Sequence, residues 1–165
     1  MKDKETVERF LRNAANAAAH TVLVFDVDAM NEAMKDILGT EGAVYCPRET
    51  EREKAVIVPE ERFTDDYFNA SICVEEVFGA IAETGSLICT STGGRAVQAN
   101  LLPSHHVALV SPEHIYPTLE DFFAACGDPP PTNITFITGP SRTADIELTL
   151  TIGVHGPERV SVIVC

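Results

Sequence analysis

Several things are scarce or missing in this 165-residue chain, and each absence removes a class of function. No apolar run approaches the roughly 20 residues that a membrane-spanning helix needs. The N-terminus, MKDKETVERF, is charged and has no apolar h-region. It is not a secretory signal, so a cytoplasmic location is expected. The five cysteines, Cys46, Cys73, Cys89, Cys126 and Cys165, never fall as C-x-x-C. That argues against a disulfide framework, a zinc ribbon and a ferredoxin-type cluster. Cys73, Cys89 and Cys165 lie in apolar β-like runs and read as buried, inert thiols. No His/Asp/Glu cluster has metal-ligand spacing, so no metal is expected. Basic residues are scarce: 12 Lys and Arg stand against 25 Asp and Glu, a net charge of −13. Nucleic acid and anionic membrane are therefore disfavoured as partners. From Phe63 onward 12 acidic residues meet only three basic ones, Arg95, Arg142 and Arg159.

What remains is a folded α/β chain. A hydrophobic content of 45% and a charged content of 22% are those of a globular protein. The length suits a single domain, 1–165. Over residues 5–19, Val7, Phe10, Leu11, Ala14, Ala17 and Ala18 recur at helical spacing and predict an amphipathic helix. It packs on the domain or on a partner. Residues 21–27 have a buried-strand pattern; Asp28 caps a helix from about Ala29 to Leu38, and Gly39 ends it. Ala43–Cys46 and Ala55–Val58 read as short strands, and the charged run Arg48–Lys54 between them as a solvated helix face. Further strands are expected at Leu87–Thr90, Val107–Val110, Ile134–Thr138 and Val160–Val164. Glu113–Cys126 predicts a helix with Tyr116, Leu119, Phe122 and Phe123 inward. Strands apolar on both faces, alternating with helices, indicate a largely parallel sheet covered by helices.

Two Gly-rich blocks interrupt this pattern. In the first, the strand at Leu87–Thr90 enters Ser-Thr-Gly-Gly-Arg95. In the second, the strand at Ile134–Thr138 enters Gly139-Pro-Ser-Arg-Thr143, and Gly153-Val-His-Gly-Pro157 closes it. Neither block is a Walker motif or G-x-G-x-x-G, so ATP hydrolysis and dinucleotide chemistry lose ground. Ser141 is placed to cap a helix starting at Arg142 or Thr143, whose free N–H groups and forked arginine would suit a small anion. The alternative is an ordinary capped helix with Arg142 paired to Asp145. The run Ile146–Ile152 also alternates like a strand. With parallel flanking strands, both loops would emerge at carboxyl ends, where α/β sheets bind ligands. Candidate catalytic groups are Glu83, Asp145, Glu147 and His155. Glu83 is either a buried carboxylate beside Gly85 or a turn cap.

At these blocks the chain resembles a known family. AETGSLICTSTGGRA, LLPSHHVALV and above all GPSRTADIE…GVHGP are similar to the LUD domain of the lactate utilization protein C family. The resemblance is firm over about residues 80–165 and loose before them. It implies a three-layer α/β fold, a mostly parallel sheet flanked by helices, like the NagB/RpiA/CoA-transferase group. It also implies a role in oxidising L-lactate to pyruvate beside iron–sulfur subunits, with this chain the cluster-free component and no cofactor of its own. Matched polar residues add Thr84, Arg95, Ser141, Arg142 and Thr143 as ligand-binding candidates. The alternative is a stand-alone enzyme or binder for a phosphorylated or CoA-linked anion.

Overall fold

Strands that are apolar on both faces belong in the middle of a sheet covered on both sides. The computed structural model, which describes residues 3–144, 150–152 and 156–165, has that arrangement. In chain order the elements are α1 (Lys4–Asn16), β1 (His20–Leu23), α2 (Val27–Leu38), β2 (Val44–Tyr45), α3 (Glu51–Ala55), β3 (Phe63–Thr64), β4 (Ile72–Glu76), β5 (Gly79–Ile81) and β6 (Ser86–Thr90). There follow β7 (His105–Val110), β8 (Ile115–Tyr116), α4 (Leu119–Ala125), β9 (Ile134–Ile137), β10 (Arg142–Ala144), β11 (Leu150–Ile152) and β12 (Arg159–Val164). Six strands form the central sheet in the order β1-β12-β7-β4-β2-β3, every neighbouring pair parallel. A second sheet, β8-β5-β6-β9, is mixed, with β6 antiparallel to both β5 and β9.

Alternation along the strands sets the layers. On one face of the central sheet Val74, Val107, Leu109 and Ile163 pack with Met30, Met34 and Leu38 of α2. On the other, Ala108, Val110, Val160, Val162 and Val164 meet Ala80, Leu87, Cys89 and Ile137 of the second sheet, and Val7, Phe10 and Ala14 of α1. The outer side of the second sheet holds Ile81 and Ile88 under Phe122 of α4. The α/β class, with a mostly parallel central sheet flanked by helices, is as expected; the mixed sheet between that sheet and α4 was not announced by periodicity.

The N-terminal helix docks on its own domain. Phe10 and Ala14 are fully buried, and the Asn13 side-chain amide donates to the carbonyls of Ala82 (2.8 Å) and Glu83 (3.1 Å). Its C-terminal turn lies against two glycines, Gly85 and Gly139, at φ 72° and 70°. A Cβ on Gly85 would overlap the Asn13–Ala14 backbone, and one on Gly139 the Ala17 carbonyl.

Local chemistry moved several boundaries. The cap of α2 is Asp26, not Asp28: Asp26 is extended, as an N-cap must be, and its Oδ1 accepts from Ala29 N–H at 2.7 Å. Residues 55–58 form no strand, because the amide of Asn31 takes the backbone groups a strand would offer. It donates to Ala55 O (3.0 Å) and accepts from Ile57 N–H (2.9 Å). The helix expected at Glu113–Cys126 begins only at Leu119, because Ile115–Tyr116 pairs as β8 with β5. Within it Phe122 is buried, whereas Phe123 is 53% exposed. Thr118 and Asp121 close a capping box on α4. Thr118→Ala is expected to lower stability by about 1 kcal/mol, read as the urea midpoint, with Thr118→Ser retaining most of it.

Candidate functional site

The strongest concentration of polar side chains lies at the carboxyl end of the central sheet. Because successive strand residues alternate in direction, Cys73 and Glu75 of β4 face the second sheet, while Glu76 closes the strand. Beside β4 runs β7, whose His106 pairs in register with Cys73. The His106 Nε2 lies 3.0 Å from Glu75 Oε1. Cys89 of β6 reaches the same oxygen at 3.9 Å. The histidines at 105 and 106 point to opposite faces, as adjacent strand residues must. His105 Nε2 contacts Ser161 Oγ at 2.9 Å.

The Gly93-Gly94 loop, with φ of 73° and 84°, carries Arg95. Its Nε lies 3.1 Å from Glu49, and its Nη1 lies 2.8 Å from Glu53 and 3.8 Å from Glu75. Nη1 also donates to the Glu76 carbonyl at 3.1 Å. Arg95 thus spends its guanidinium on carboxylates. Glu53 is the anchor and is fully buried. Its Oε2 accepts from the N–H groups of Glu49 (2.8 Å) and Thr50 (3.1 Å), and its Oε1 from Glu76 N–H (2.8 Å). The run 48–54 is therefore not only a solvated face: its third helical position turns inward as the acid of a capping box. Arg52 completes the cluster, 2.7 Å from Glu76 and 3.4 Å from Ser111 Oγ.

These groups border a cavity of about 280 Å³ whose walls include Thr50, Glu75, Cys89, Thr92, Arg95 and Tyr116. Burial, the largest influence on Glu75, works to raise its pKa. The hydrogen bond and charge of His106, then Asn100 and Arg95, outweigh it and hold the carboxyl below its usual range. Burial likewise opposes the charge of Arg95, but Glu53, Glu75 and Glu49 prevail and push its pKa up. Cys46, Cys73 and Cys89 are buried and Cys165 half-buried. Burial pushes Cys46 up to about 11 and raises the other three.

Burial first, then the charges of Arg159, His106 and His20, pushes the His105 imidazole down to about 4. A histidine in an unfolded chain titrates near 6.5. Its neutral form therefore contributes stability that is complete above the unfolded value and lost as pH falls from there toward 4. Urea midpoints measured through that window should fall, and fall less steeply in His105→Gln.

The other residues singled out in the sequence lie apart from this cluster. Glu83 is exposed rather than buried, and its carboxylate accepts from Leu119 N–H at 2.8 Å, a free donor of the first turn of α4. Thr84 belongs to a hydroxyl chain, 2.7 Å to Ser86, which is 2.7 Å from Thr138. Ser141 does not cap a helix. Its N–H donates to Pro157 O at 2.8 Å, and Arg142–Ala144 pairs antiparallel with Leu150–Ile152. Strand pairing at 142–144 and 150–152 wins over the capping signal, and no row of unpaired helical N–H groups forms at Arg142 and Thr143. Asp145, Glu147 and His155 lie outside the described residues. The two Gly-rich loops do not converge: β6 and β9 are antiparallel, so their carboxyl ends point opposite ways. Pro140 instead borders a cavity at the amino edge of the central sheet, with His20, His105 and Arg159.

The sequence motifs do not include Glu53 or Glu75, and they leave His106, one of the His105-His106 pair beside a strand, a weaker candidate than His155. Their signals were faint but physical: two acids ending an otherwise apolar strand, and a histidine opening another.

A parallel sheet with a charged cluster at its carboxyl edge places the chain among the open-sheet α/β proteins, whose ligands bind at that edge. Residues 58–165 match the LUD domain, and the chain belongs to the LUD domain family. It is 34% identical over 110 residues to lactate utilization protein C of Halalkalibacterium halodurans, covering 63% of this chain and 48% of that protein. Lactate utilization protein C of Bacillus licheniformis is 34% identical over 102 residues, 58% of this chain and 42% of that one. The chain thus matches less than half the length of either relative. A DUF162 family protein from Deinococcus radiodurans, solved by crystallography, has the same fold. Its TM-score is 0.68 at 22% identity, covering 97% of this chain and 96% of that one. Among the described residues no helix is long and apolar enough to cross a membrane.

Proposed function

We propose that this chain is a component of an L-lactate utilization system, acting in the cytoplasm as the cluster-free partner of iron–sulfur subunits that oxidise L-lactate to pyruvate. The observation that carries this reading is the LUD match over residues 58–165, together with relatives named lactate utilization protein C. Oxidation of lactate removes two electrons and two protons, and the electrons leave through the partners' clusters. The carboxyl-edge cavity, about 280 Å³, is at the small end for ligand sites and suits a small acid better than a nucleotide. Arg95 is the residue to receive the ligand's carboxylate. Glu49, whose side chain is 49% exposed, is the partner such a ligand would displace. The hairpin residues Ser141, Arg142 and Thr143, with Thr84, remain ligand candidates on a separate surface.

Lactate-dependent dye reduction by the purified chain, with and without its iron–sulfur partners, tests the proposal. Reduction is expected only when all components are present. A rate unchanged by omitting this chain would overturn it. Turnover of a CoA ester or a sugar phosphate by the lone chain would replace it with the isomerase or CoA-transferase alternative.

A further inference from the structure

We propose that Glu75, Cys89 and His106 bind one divalent transition metal of the zinc type. Three strands, β4, β6 and β7, each contribute one of these residues, and one ligand atom from each lies within 4.8 Å of the others. Glu75 Oε1 is the shared corner, 3.0 Å from His106 Nε2 and 3.9 Å from Cys89 Sγ. Ligand atoms on a tetrahedral zinc stand about 3.3–3.8 Å apart, given bonds of about 2.0–2.3 Å. The three atoms need to move by only about 1 Å to meet that spacing. Thiolate, imidazole and carboxylate together form a donor set that suits zinc or cobalt and not magnesium or calcium.

Independent observations point to the same place. Four carboxylates, Glu49, Glu53, Glu75 and Glu76, surround two guanidiniums, Arg52 and Arg95, so negative charge is in surplus beside the cavity. A dication would offset that surplus. Asn100, which also contacts Glu75, is buried with its Oδ1 unpartnered among the described residues. His106 Nδ1 is unpartnered there too, so the ring's polar contact is with this cluster alone. Arg95 lies nearest Glu75 Oε2, which leaves Oε1 to the metal. Glu75 and Cys89 both line the cavity. A three-ligand metal would therefore keep its open position toward the cavity, as catalytic rather than structural sites do. On binding, the Cys89 thiol gives its proton to solvent, and so does the His106 ring at Nε2, keeping one proton on Nδ1; the sulfur and Nε2 become ligands.

This proposal stands apart from the lactate reading, and its test uses no lactate. Chelator-treated protein is titrated with Co²⁺ and followed by thiolate-to-cobalt charge-transfer absorption. One equivalent is expected to saturate the band in wild-type protein and in Cys73→Ala. The band should vanish in Cys89→Ser, and affinity should fall roughly tenfold or more in His106→Asn. No band in wild-type protein, or a band that survives in Cys89→Ser, overturns the site. Zinc-edge X-ray absorption on the wild-type protein needs no variant: one sulfur neighbour is expected, and a shell of nitrogen and oxygen only is the opposing result.

Discussion

Gly139→Ala is expected to lower stability by about 2–5 kcal/mol, combining left-handed strain of about 1–2 kcal/mol with overpacking of about 1–3 kcal/mol. Gly139 sits at φ 70°, and an added Cβ would run into the Ala17 carbonyl, a backbone atom that cannot swing aside. Either α1 withdraws its last turn or the loop leaves its conformation. For a domain this size the loss corresponds to a fall in Tm of roughly 5–15 °C. Gly85→Ala should behave alike, because its Cβ would strike the backbone of Asn13 and Ala14. Gly93→Ala separates the causes: Gly93 has φ 73° but nothing within 4 Å of the new atom. Only the strain should appear, about 1–2 kcal/mol. Thermal melts of the three variants decide the matter, and equal losses in all three would refute the docking account.

Glu53→Ala is expected to cost about 3–5 kcal/mol, because it removes the buried member of an ion-pair network together with the acceptor of three backbone N–H groups. The substitution strips Arg95 of its closest carboxylate and leaves the N–H groups of Glu49, Thr50 and Glu76 without their acceptor. Arg95→Met removes the other member and leaves Glu53 buried without its counter-charge, held by backbone N–H groups alone. The double variant should lose less than the sum of the two, with a coupling of about 1–3 kcal/mol in a urea double-mutant cycle. Strict additivity would mean that the pair is not the unit that holds this edge together.

The fold was legible where burial dictates pattern. The apolar run at 107–110 and the β-rich run at 160–164, broken only by Ser161, had to be interior strands, and the alanine-narrowed stripe from Val7 to Ala18 had to be a helix pressed close to something. Its partner was not legible, since the glycines that admit it lie some 70 and 120 residues downstream, at Gly85 and Gly139. The second Gly-rich block was misjudged for a related reason. A serine before an arginine signals a helix cap locally, whereas the antiparallel pairing of 142–144 with 150–152 is decided by the partner strand. The carboxyl-edge cluster is not legible as a unit because its members come from separate elements: Glu53 from a helix that reads as surface, Glu75 and His106 from strands that read as core.

The position of β12 bears on how the chain reaches its folded state. This strand, Arg159–Val164, lies between β1 and β7. Among the described residues, the sole strand neighbour of β1 is thus synthesised about 140 residues after it, His20 pairing with Ser161. Until those residues leave the ribosome, β1 has nothing to join and β7 presents an open apolar edge. Sheet closure is then a late, long-range event, slow by the measure of sequence separation. During that interval the nascent domain exposes the kind of unpaired edge that chaperones shield.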